Sequence, residues 1–258
     1  MLLTFYKYQG TGNDFVMIDN RSLNFPKKDT KLVASLCDRR FGIGADGLIL
    51  LENDEMSDFN MVYYNADGKE GSLCGNGGRC TIAFAKYLGI IENETTFNAV
   101  DGLHNASIDN ELVSLQMQDL SDIKMKPNYV FLNTGSPHHV QMVKNIQSFD
   151  VFSEGKKLRY GLYGQSGSNI NFVESITEDE FAVRTYERGV EDETLSCGTG
   201  VTAAALAMHH QQKTTSTEVK IKVQGGNLMV KFSKDGDTYR NIFLTGPAEQ
   251  VFKGEITI

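Results

Sequence analysis

The sequence lacks the features that mark several large classes of protein. Four cysteines in 258 residues are too few for a disulfide-stapled scaffold. No stretch reaches the roughly 18 apolar residues that a membrane-spanning helix needs, and the first residues, MLLTFYKYQG, do not form a secretory signal. We therefore expect a cytoplasmic protein without a membrane partner, in which thiols are reduced and an unusual cysteine is reactive rather than structural.

Positive charge is also in deficit, because 25 Lys and Arg residues stand against 33 Asp and Glu residues and the net charge is −8. Proteins that bind nucleic acid carry a basic surface instead, so we expect no nucleic-acid partner. The remaining composition, 40% hydrophobic and 22% charged, is that of a globular enzyme or binding protein with one or two domains.

Short β-type runs dominate the chain. Runs rich in Val, Ile, Tyr and Phe and bounded by Gly, Asn or Asp predict strands separated by turns. One amphipathic helix is predicted over residues 29–40, with Asp29 as its N-cap. The predicted strands are residues 3–8, 15–19, 47–51, 59–64, 129–132, 170–174, 181–186, 218–223, 227–232 and 242–245.

Two further helices are predicted to be buried. Residues 75–88 and 198–210 each begin in a glycine-rich turn and are apolar around nearly the whole circumference, and a helix without a polar face is a buried one. Each follows a cysteine, and Cys74 and Cys197 lie 123 residues apart (197 − 74). The same offset relates other landmarks, which indicates a duplicated unit half the chain in length: Thr11-Gly12 with Thr134-Gly135, Gly44 with Gly167, and Asn65 with Arg188.

The duplication predicts the fold class, an α/β (α+β) protein of two pseudo-symmetric domains. Each domain is expected to be a β-strand shell or barrel around a central buried helix. The polar segment 118–127, which ends in proline, indicates the boundary, so we expect domains over residues 1–118 and 119–246.

Two cysteines at two helix N-termini favour a particular chemistry. The partial positive charge and unpaired N–H groups there lower a cysteine pKa from about 8.5 to roughly 3.5–7.5, and the same groups bind a carboxylate. If the halves pack about a pseudo-twofold axis, Cys74 and Cys197 flank one carbon. One thiolate then removes a proton and the other thiol returns one to the opposite face, which inverts a carbon acid, while backbone donors stabilise the developing charge.

A structural interpretation of each cysteine also stays open, because a small buried residue fits before a glycine-rich helix. Cys37 and Cys80 lie within helices among apolar neighbours and are interpreted as core residues. The C-x5-C spacing of Cys74 and Cys80 is wider than the usual spacing of zinc ligands, so no metal site is expected.

The motifs of the chain, taken in order, resemble those of the diaminopimelate epimerases over essentially the full length. The resemblance implies an isomerase that uses no metal or other cofactor and interconverts LL- and meso-2,6-diaminopimelate, for lysine biosynthesis and, in many bacteria, for peptidoglycan. It also implies a homodimer, and a last strand near residues 247–258 that joins the first domain. The motifs are GTGNDF (10–15), RRFGIGADG (39–47), YNADG (64–68), CGNGGRC (74–80), GSPHHV (135–140), GSNINFVE (167–174), YERGV (186–190), ETLSCGTG (193–200) and GPAEQVFKG (246–254).

The resemblance assigns roles to individual residues. Cys74 and Cys197 match the catalytic acid/base pair, His138 matches a residue that tunes the cysteine site, and Glu187 matches the position that meets the substrate ammonium group. On sequence alone, the asparagines also fit as turn residues, and Arg188 fits as a salt-bridge partner of Glu187 or Glu191. The other matches to substrate-binding positions are Asn13, Asn65, Gly75, Asn76, Ser136, Asn169, Arg188, Gly198 and Thr199.

Three departures from the family pattern are visible. Ser136 stands where the family usually has Asn, Gly47 stands where some members have Gln, and residues 190–193 read VEDE where a shorter VGE is usual. Acidic groups that faced Cys197 would raise the pKa of its thiol. We expect Glu191 and Asp192 to point to solvent instead.

Other functions remain open from the sequence. The same fold could serve a proline or hydroxyproline racemase or a PhzF-like isomerase, although CGNGGRC and YNADG argue against both, and PhzF-like relatives lack the cysteine pair. A non-catalytic binder of small dicarboxylates would use the same helix N-termini, but it needs no pair of thiols. A redox protein would join Cys74 and Cys197 in a disulfide.

Overall fold

The computed structural model describes residues 1–71 and 73–258. The chain divides into two compact units: unit 1 is Met1–Leu115 with Gly246–Ile258, and unit 2 is Gln116–Thr245. The division falls three residues before the expected one (118 − 115). Residues from 117 onward already pair within unit 2, since the Met117 N–H donates to the Ile242 carbonyl and Leu120 forms a bridge with Tyr239.

The described residues of unit 1 form a mixed sheet with two helices. Its strands follow the spatial order β17-β1-β2-β3-β4-β5-β6-β7, in which only β2–β3 and β4–β5 are parallel pairs. The elements are β1 (Leu2–Gly10), β2 (Asn13–Asp19), α1 (Thr30–Cys37), β3 (Gly47–Glu52), β4 (Phe59–Asn65), α2 (Gly75–Tyr87), β5 (Glu94–Ala99), β6 (Gly102–Asp109), β7 (Leu112–Gln116) and β17 (Glu249–Thr257).

Unit 2 repeats this pattern. The order β8-β9-β10-β11-β12-β14-β15-β16 again has two parallel pairs, β10–β11 and β12–β14, at the same places, and β13 adds a hairpin to β12. The elements are β8 (Ile123–Met125), β9 (Val130–Asn133), β10 (Pro137–Met142), α3 (Val151–Gly161), β11 (Asn169–Ser175), β12 (Glu180–Glu187), β13 (Asp192–Thr194), α4 (Gly198–His210), β14 (Glu218–Val223), β15 (Gly226–Asp235) and β16 (Thr238–Pro247).

The sequence analysis assumed one constant offset between the two units, and the structure shows that the offset changes along the chain. Helices α2 and α4 are 123 residues apart (198 − 75). In the strands, Gly47 pairs with Phe15 and with Asn65, whereas Asn169 pairs with His138 and lies opposite Glu187 in the register of β11 and β12. The counterpart of Gly47 is therefore Asn169, at an offset of 122, and the counterpart of Asn65 is Glu187 rather than Arg188.

Each unit encloses one apolar helix among its strands. Within unit 1, α2 contacts β1, β2, β3, β4, β6 and β17, and within unit 2, α4 contacts β9, β10, β11, β12, β14 and β15. Residues 201–208 of α4 are completely buried. In the described part of the chain, none of the helices has both the length and the hydropathy to span a membrane.

A second helix in each unit packs on the strands from another side. Helix α1, capped by the Asp29 side chain at the Leu32 N–H as predicted, places Val33 and Leu36 against β2 and β3. All six residues of β3 are buried, which agrees with a continuous apolar run covered on both faces. Helix α3 packs against β11 and β12.

Helix α3 was missed by the sequence analysis because its buried stripe is not apolar. The buried residues are Val151, Gly155 and Arg159, and glycine in mid-helix is typical of a break. The structure explains the glycine, since a Cβ built on Gly155 would lie 2.4 Å from the Cβ of Tyr186. Only glycine allows α3 to approach β12 this closely.

We expect Gly155→Ala to lower the free energy of unfolding by about 1–3 kcal/mol, because the added methyl overlaps Tyr186. Gly161→Ala is the matched control on the same helix, where an added Cβ meets no described atom within 4 Å. The control should be neutral or stabilising by up to about 1 kcal/mol. Urea denaturation measures both, and equal stability of Gly155→Ala and wild type would contradict the close approach.

Candidate active site

Helices α2 and α4 both begin directly after a cysteine. Cys74 is the N-cap of α2, with φ of −98° and ψ of 121°, and Cys197 is the N-cap of α4, with φ of −125° and ψ of 108°. Cys74 is partly buried and Cys197 is 7% exposed. Because an N-cap residue precedes the first turn, each cysteine adjoins N–H groups that the helix itself does not pair.

In unit 1, three of the predicted site residues lie in contact. The Cys74 Sγ lies 3.5 Å from the Oδ1 of Asn13, and the Nδ2 of Asn76 lies 3.3 Å from the same oxygen. The Nδ2 of Asn13 donates to Asp46 at 2.6 Å. Asp46 therefore fixes which end of the Asn13 amide faces Cys74.

A network of charges holds Asp46 in turn. Arg39 donates to Asp46 at 2.8 Å and to Asp14 at 2.6 and 3.0 Å, and the Lys7 ammonium lies 2.7 Å from Asp14. Burial alone would raise the pKa of Asp14, but hydrogen bonds from Arg39 and Lys7 outweigh it and lower the pKa to about 2. The Asp14 carboxylate is thus ionised throughout the neutral range.

This network should make stability depend on acid pH. Because the pKa of Asp14 is lower in the folded chain than the unfolded value near 3.9, its stabilisation is present above about pH 4 and is lost as pH falls towards 2. Urea denaturation of wild type and Asp14→Asn between pH 2.5 and 6 measures this contribution. The difference in unfolding free energy should narrow as pH falls, and a constant difference would contradict the assignment.

A buried arginine belongs to α2, just after its first turn. Arg79 is fully buried and donates to the Thr11 hydroxyl at 3.2 Å and to the carbonyls of Gly75 and Pro247 at 3.4 Å. Burial lowers the pKa of Arg79 to about 10, so the guanidinium stays charged at neutral pH. It ties the turn after β1 to the first turn of the helix.

In unit 2, polar side chains lie in a row behind Cys197. The Cys197 Sγ lies 3.6 Å from the Thr199 hydroxyl, which lies 3.0 Å from the Nε2 of His138. The Nδ1 of His138 lies 3.1 Å from the Nδ2 of Asn171. Burial and then the positive charge of Arg188 lower the pKa of His138 to about 3, so the ring is neutral at physiological pH.

The remaining predicted site residues occupy strand ends and turns. Asn65 is exposed at the end of β4, opposite Gly47. The Ser136 carbonyl accepts from the Thr134 N–H, and the Thr134 hydroxyl donates to the Thr199 carbonyl at 2.8 Å, which holds this turn against the start of α4.

Asn169, Glu187 and Arg188 lie where β11 begins and β12 ends. The Oδ1 of buried Asn169 accepts from the Arg188 N–H at 2.8 Å, and Glu187 accepts from the Thr194 hydroxyl at 2.8 Å. The exposed Arg188 side chain donates to the Ser166 carbonyl at 3.0 Å. The described ion pairs do not include Arg188, so its interpretation as a salt-bridge partner of Glu187 or Glu191 finds no support there.

The expectation that Glu191 points to solvent is wrong. Its carboxylate lies 3.2 Å from Arg159 of α3, and it also accepts from the Gly189 N–H at 3.1 Å. The physical reason is that the Arg159 side chain is only 8% exposed and needs a counter-charge. Asp192, by contrast, is exposed as expected.

We expect Glu191→Gln to lower the free energy of unfolding by about 1–3 kcal/mol, because a buried guanidinium loses its charged acceptor. Asp192→Asn is the control at the neighbouring exposed position and should change stability by less than about 0.5 kcal/mol. Thermal or urea unfolding compares the two variants. Equal effects would show that Glu191 does not stabilise Arg159.

The other two cysteines are core residues. Cys37 lies in α1 and Cys80 in α2, both buried, and burial raises the pKa of each thiol to about 12. All four cysteines are free thiols. Among residues 1–71 and 73–258, the His, Cys, Asp and Glu side chains form no group of three or more that could share a metal ion.

Sequence reasoning missed several residues that support the site, namely Asp46, Arg79 and Asn171. Asp46 and Arg79 stand inside the quoted motifs RRFGIGADG and CGNGGRC but were given no role. For Asn171 a signal was present, because Asn169 and Asn171 are two residues apart and therefore share one face of a largely apolar strand. Polar residues on a buried strand face need partners.

Comparisons of the sequence with a family model and with curated relatives agree on one family. The family model described as "Diaminopimelate epimerase" matches residues 5–119 and 130–251. A diaminopimelate epimerase from Flavobacterium psychrophilum is 62% identical over 253 residues, which cover 97% of this chain and 99% of the relative. One from Chlorobaculum tepidum is 45% identical over 260 residues, with 96% and 99% covered.

Solved structures with a similar fold are more distant in sequence. A phenazine biosynthesis protein of the PhzF family from Bacillus anthracis matches with a TM-score of 0.78 at 18% identity, over 100% of both chains. A hydroxyproline epimerase from Agrobacterium vitis matches with a TM-score of 0.72 at 14% identity, over 99% of this chain and 92% of that one. At these identities the likeness concerns the fold alone, and it agrees with the expected mixed α/β class.

Proposed function

The chain belongs to the diaminopimelate epimerase family, and from this membership we propose that it interconverts LL- and meso-2,6-diaminopimelate. It is accordingly an isomerase of the amino-acid epimerase class. The observation that carries the proposal is that both units begin a buried helix directly after a cysteine. A family activity that needs two acid/base groups thus finds two in equivalent places of this chain.

Cys74 and Cys197 are the proposed acid/base pair. One thiolate takes the proton from the α-carbon, and the electron pair of the broken C–H bond moves towards the carboxylate. The other thiol then gives its proton to the opposite face of the carbon, which inverts its configuration. The cycle ends with thiol and thiolate exchanged, so no external oxidant or reductant is consumed and the proposal needs no cofactor.

The helix N-termini are the proposed binding groups for the reacting carboxylate. The N–H groups of Gly75 and Asn76 in α2, and of Gly198 and Thr199 in α4, belong to the first turns of their helices, where N–H groups point out of the helix end. Such groups bind carboxylates, and their hydrogen bonds become stronger as negative charge develops on the carboxylate oxygens. This is the charge that forms when the α-proton leaves.

The polar residues at strand ends are proposed to recognise the rest of the substrate. Asn13, Asn65, Ser136, Asn169 and Arg188 supply amide, hydroxyl and guanidinium groups suited to a carboxylate and an ammonium group at each end. Glu187 is the proposed partner of an ammonium group. His138 supports the Cys197 side, where it lies two hydrogen-bond steps from the thiol.

The setting proposed for this activity is lysine biosynthesis in the cytoplasm, with peptidoglycan precursors as a second use of the product. A homodimer is the proposed assembly. Both statements rest on the family resemblance of the motifs described above.

The test is proton exchange in deuterated water, followed by NMR. Reduced protein is mixed with LL-diaminopimelate in EDTA-containing buffer without pyridoxal phosphate. We expect deuterium to enter one α-carbon as the meso isomer appears. Cys74→Ala and Cys197→Ala should each lower the rate at least about a hundredfold, whereas Cys37→Ala, a change in the core of α1, should retain it.

Several outcomes would overturn the proposal. Absence of exchange with reduced wild-type protein would exclude diaminopimelate as substrate, and exchange with proline or hydroxyproline would then assign a racemase of that type. Binding of a dicarboxylate without exchange, unaffected by either Cys→Ala change, would assign a binding protein. Exchange that survives in both cysteine variants would refute the two-thiol mechanism.

A further inference from the structure

The polar row behind Cys197 has a direction that its hydrogen bonds determine. The Asn171 side chain lies within unit 2 and is fully buried. Its Nδ2 lies 3.0 Å from the carbonyl oxygen of His139, and its Oδ1 lies 3.0 Å from the hydroxyl of Thr185. A carbonyl oxygen only accepts hydrogen bonds, so the NH2 end of the amide must face His139.

This orientation determines the proton positions along the row. The second hydrogen of the Asn171 NH2 group points to the Nδ1 of His138, 3.1 Å away, which must therefore accept. A neutral histidine with an unprotonated Nδ1 carries its proton on Nε2. That N–H donates to the Thr199 hydroxyl at 3.0 Å.

The Thr199 hydroxyl consequently has its own proton available for the cysteine. Its oxygen accepts from His138, and its O–H lies 3.6 Å from the Cys197 Sγ. Donation to sulfur favours the thiolate, since hydrogen bonds to the charged form of an acid lower its pKa. The orientation of the Asn171 amide on strand β11 thus determines, through His138, that the Thr199 hydroxyl donates to the Cys197 thiol.

Unit 1 shows that the fold does not need these polar groups. In the parallel strand pair, Phe15 takes the place of His138, because Phe15 pairs with Gly47 as His138 pairs with Asn169. Two residues further along, Ile49 takes the place of Asn171.

Packing on the helices supports the same correspondence. A Cβ built on Gly77 of α2 would meet Ile49 at 3.0 Å, and one built on Gly200 of α4 would meet Asn171 at 2.4 Å. Phe15 and Ile49 are fully buried, apolar residues. Buried polar groups cost stability relative to a packed apolar pair, so their presence in unit 2 points to a role at Cys197.

We propose that Asn171 is a positioning residue for the epimerase reaction, which selects the Nε2–H tautomer of His138 and thereby turns the Thr199 hydroxyl into a donor to Cys197. The proposal rests on the proposed function only in taking Cys197 as the reacting thiol. The neutral ring expected from the lowered pKa of His138 agrees with it.

Other titratable groups occur on β10, at the end of β12 and on α4. On β10, His139 stacks on Tyr129 and hydrogen-bonds Tyr163. At the end of β12, Glu187 accepts from Thr194, and Arg188 is exposed beyond it. On α4, His209 and His210 lie in the last turn, at the opposite end from Cys197.

The direct test measures the thiolate fraction of each cysteine without substrate. Folded protein is pulsed with iodoacetamide between pH 5 and 10, and the alkylation of Cys197 and Cys74 is quantified separately by peptide mass spectrometry. The pH midpoint of alkylation follows the thiol pKa, because the thiolate is the nucleophile. Cys74 is an internal control, since the row belongs to the other unit.

We expect Thr199→Val and Asn171→Leu each to raise the Cys197 midpoint by about one to two pH units, with the Cys74 midpoint unchanged. Thr199→Ser keeps the hydroxyl and should retain the wild-type midpoint. Thr202→Val is the matched control, because this threonine lies on the same helix but bonds only the Gly198 carbonyl among the described contacts. It should leave both midpoints unchanged.

The double variant tests whether Asn171 acts through Thr199. If it does, Asn171→Leu combined with Thr199→Val should shift the midpoint no further than Thr199→Val alone, whereas independent effects would add. Should Asn171→Leu fail to fold, His138→Phe with Asn171→Ile copies the apolar pair of unit 1 and is expected to shift the midpoint in the same direction.

Three results would overturn the proposal. The Cys197 midpoint could stay at the wild-type value in the Asn171 variants, or the shifts could add in the double variant. The third is a shift in Thr202→Val equal to that in the row variants. The exchange assay on diaminopimelate is run in parallel and separates the two claims. If the wild-type protein catalyses no exchange but the variants shift the Cys197 midpoint, the hydrogen-bonded row is supported and the proposed function is refuted. If the wild-type protein catalyses exchange but the variants leave the Cys197 midpoint unshifted, the proposed function is supported and the role of the row is refuted.

Discussion

Burial of the two helices that follow Cys74 and Cys197 is the constraint on which the rest of this structure depends. Helix α4 has no polar side to present to water along residues 201–208, so it is stable only where strands enclose it. Once the helix is enclosed, the position of its first turn is determined, and with it the position of the preceding cysteine. In α2, residues 75–82 are likewise buried, polar side chains included, and their burial determines the position of Cys74. The hydrophobic effect thus determines the positions of the two thiols, although the thiols themselves contribute little buried apolar surface.

The two units share this scaffold but surround their cysteines differently. In unit 1 a surface network of Arg39, Asp14 and Asp46 orients the Asn13 amide oxygen towards Cys74. A buried guanidinium, that of Arg79, adds positive charge within the same helix. In unit 2 the position 123 residues after Arg79 is Thr202, a neutral side chain. Duplication of a fold has therefore not produced duplication of the electrostatic surroundings.

Much of the fold was predictable because its determinants are local. The bounds of α2 and α4 follow from glycine-rich turns and apolar composition, and the Asp29 cap of α1 follows from its side chain. Helix α3 was not predictable in this way, because its Gly155 is explained only by Tyr186 on a strand 31 residues away (186 − 155). The one-residue change of offset between β10 and β11 is likewise visible only in strand pairing.

The candidate site divides along the same line. Cys74 and Cys197 could be found from their position before a helix, which is a feature of the sequence. The partners of Glu191 and Asn171 could not, because an ion pair with Arg159 and a bond to the His139 carbonyl depend on neighbouring elements. Composition indicates that an acidic residue prefers water, but a buried arginine nearby reverses that preference. Such reversals need the three-dimensional arrangement.

The strand β17 bears on how the chain folds during synthesis. It pairs with β1 along eight positions, from Leu2 with Thr257 to Gln9 with Glu249, yet it is translated only after all of unit 2. At about 5–20 residues per second, β1 waits more than ten seconds on the ribosome with one edge uncovered. An uncovered edge is open to pairing with other chains. Unit 2, a continuous segment, is free to fold during that interval, so the half that is translated first is completed last.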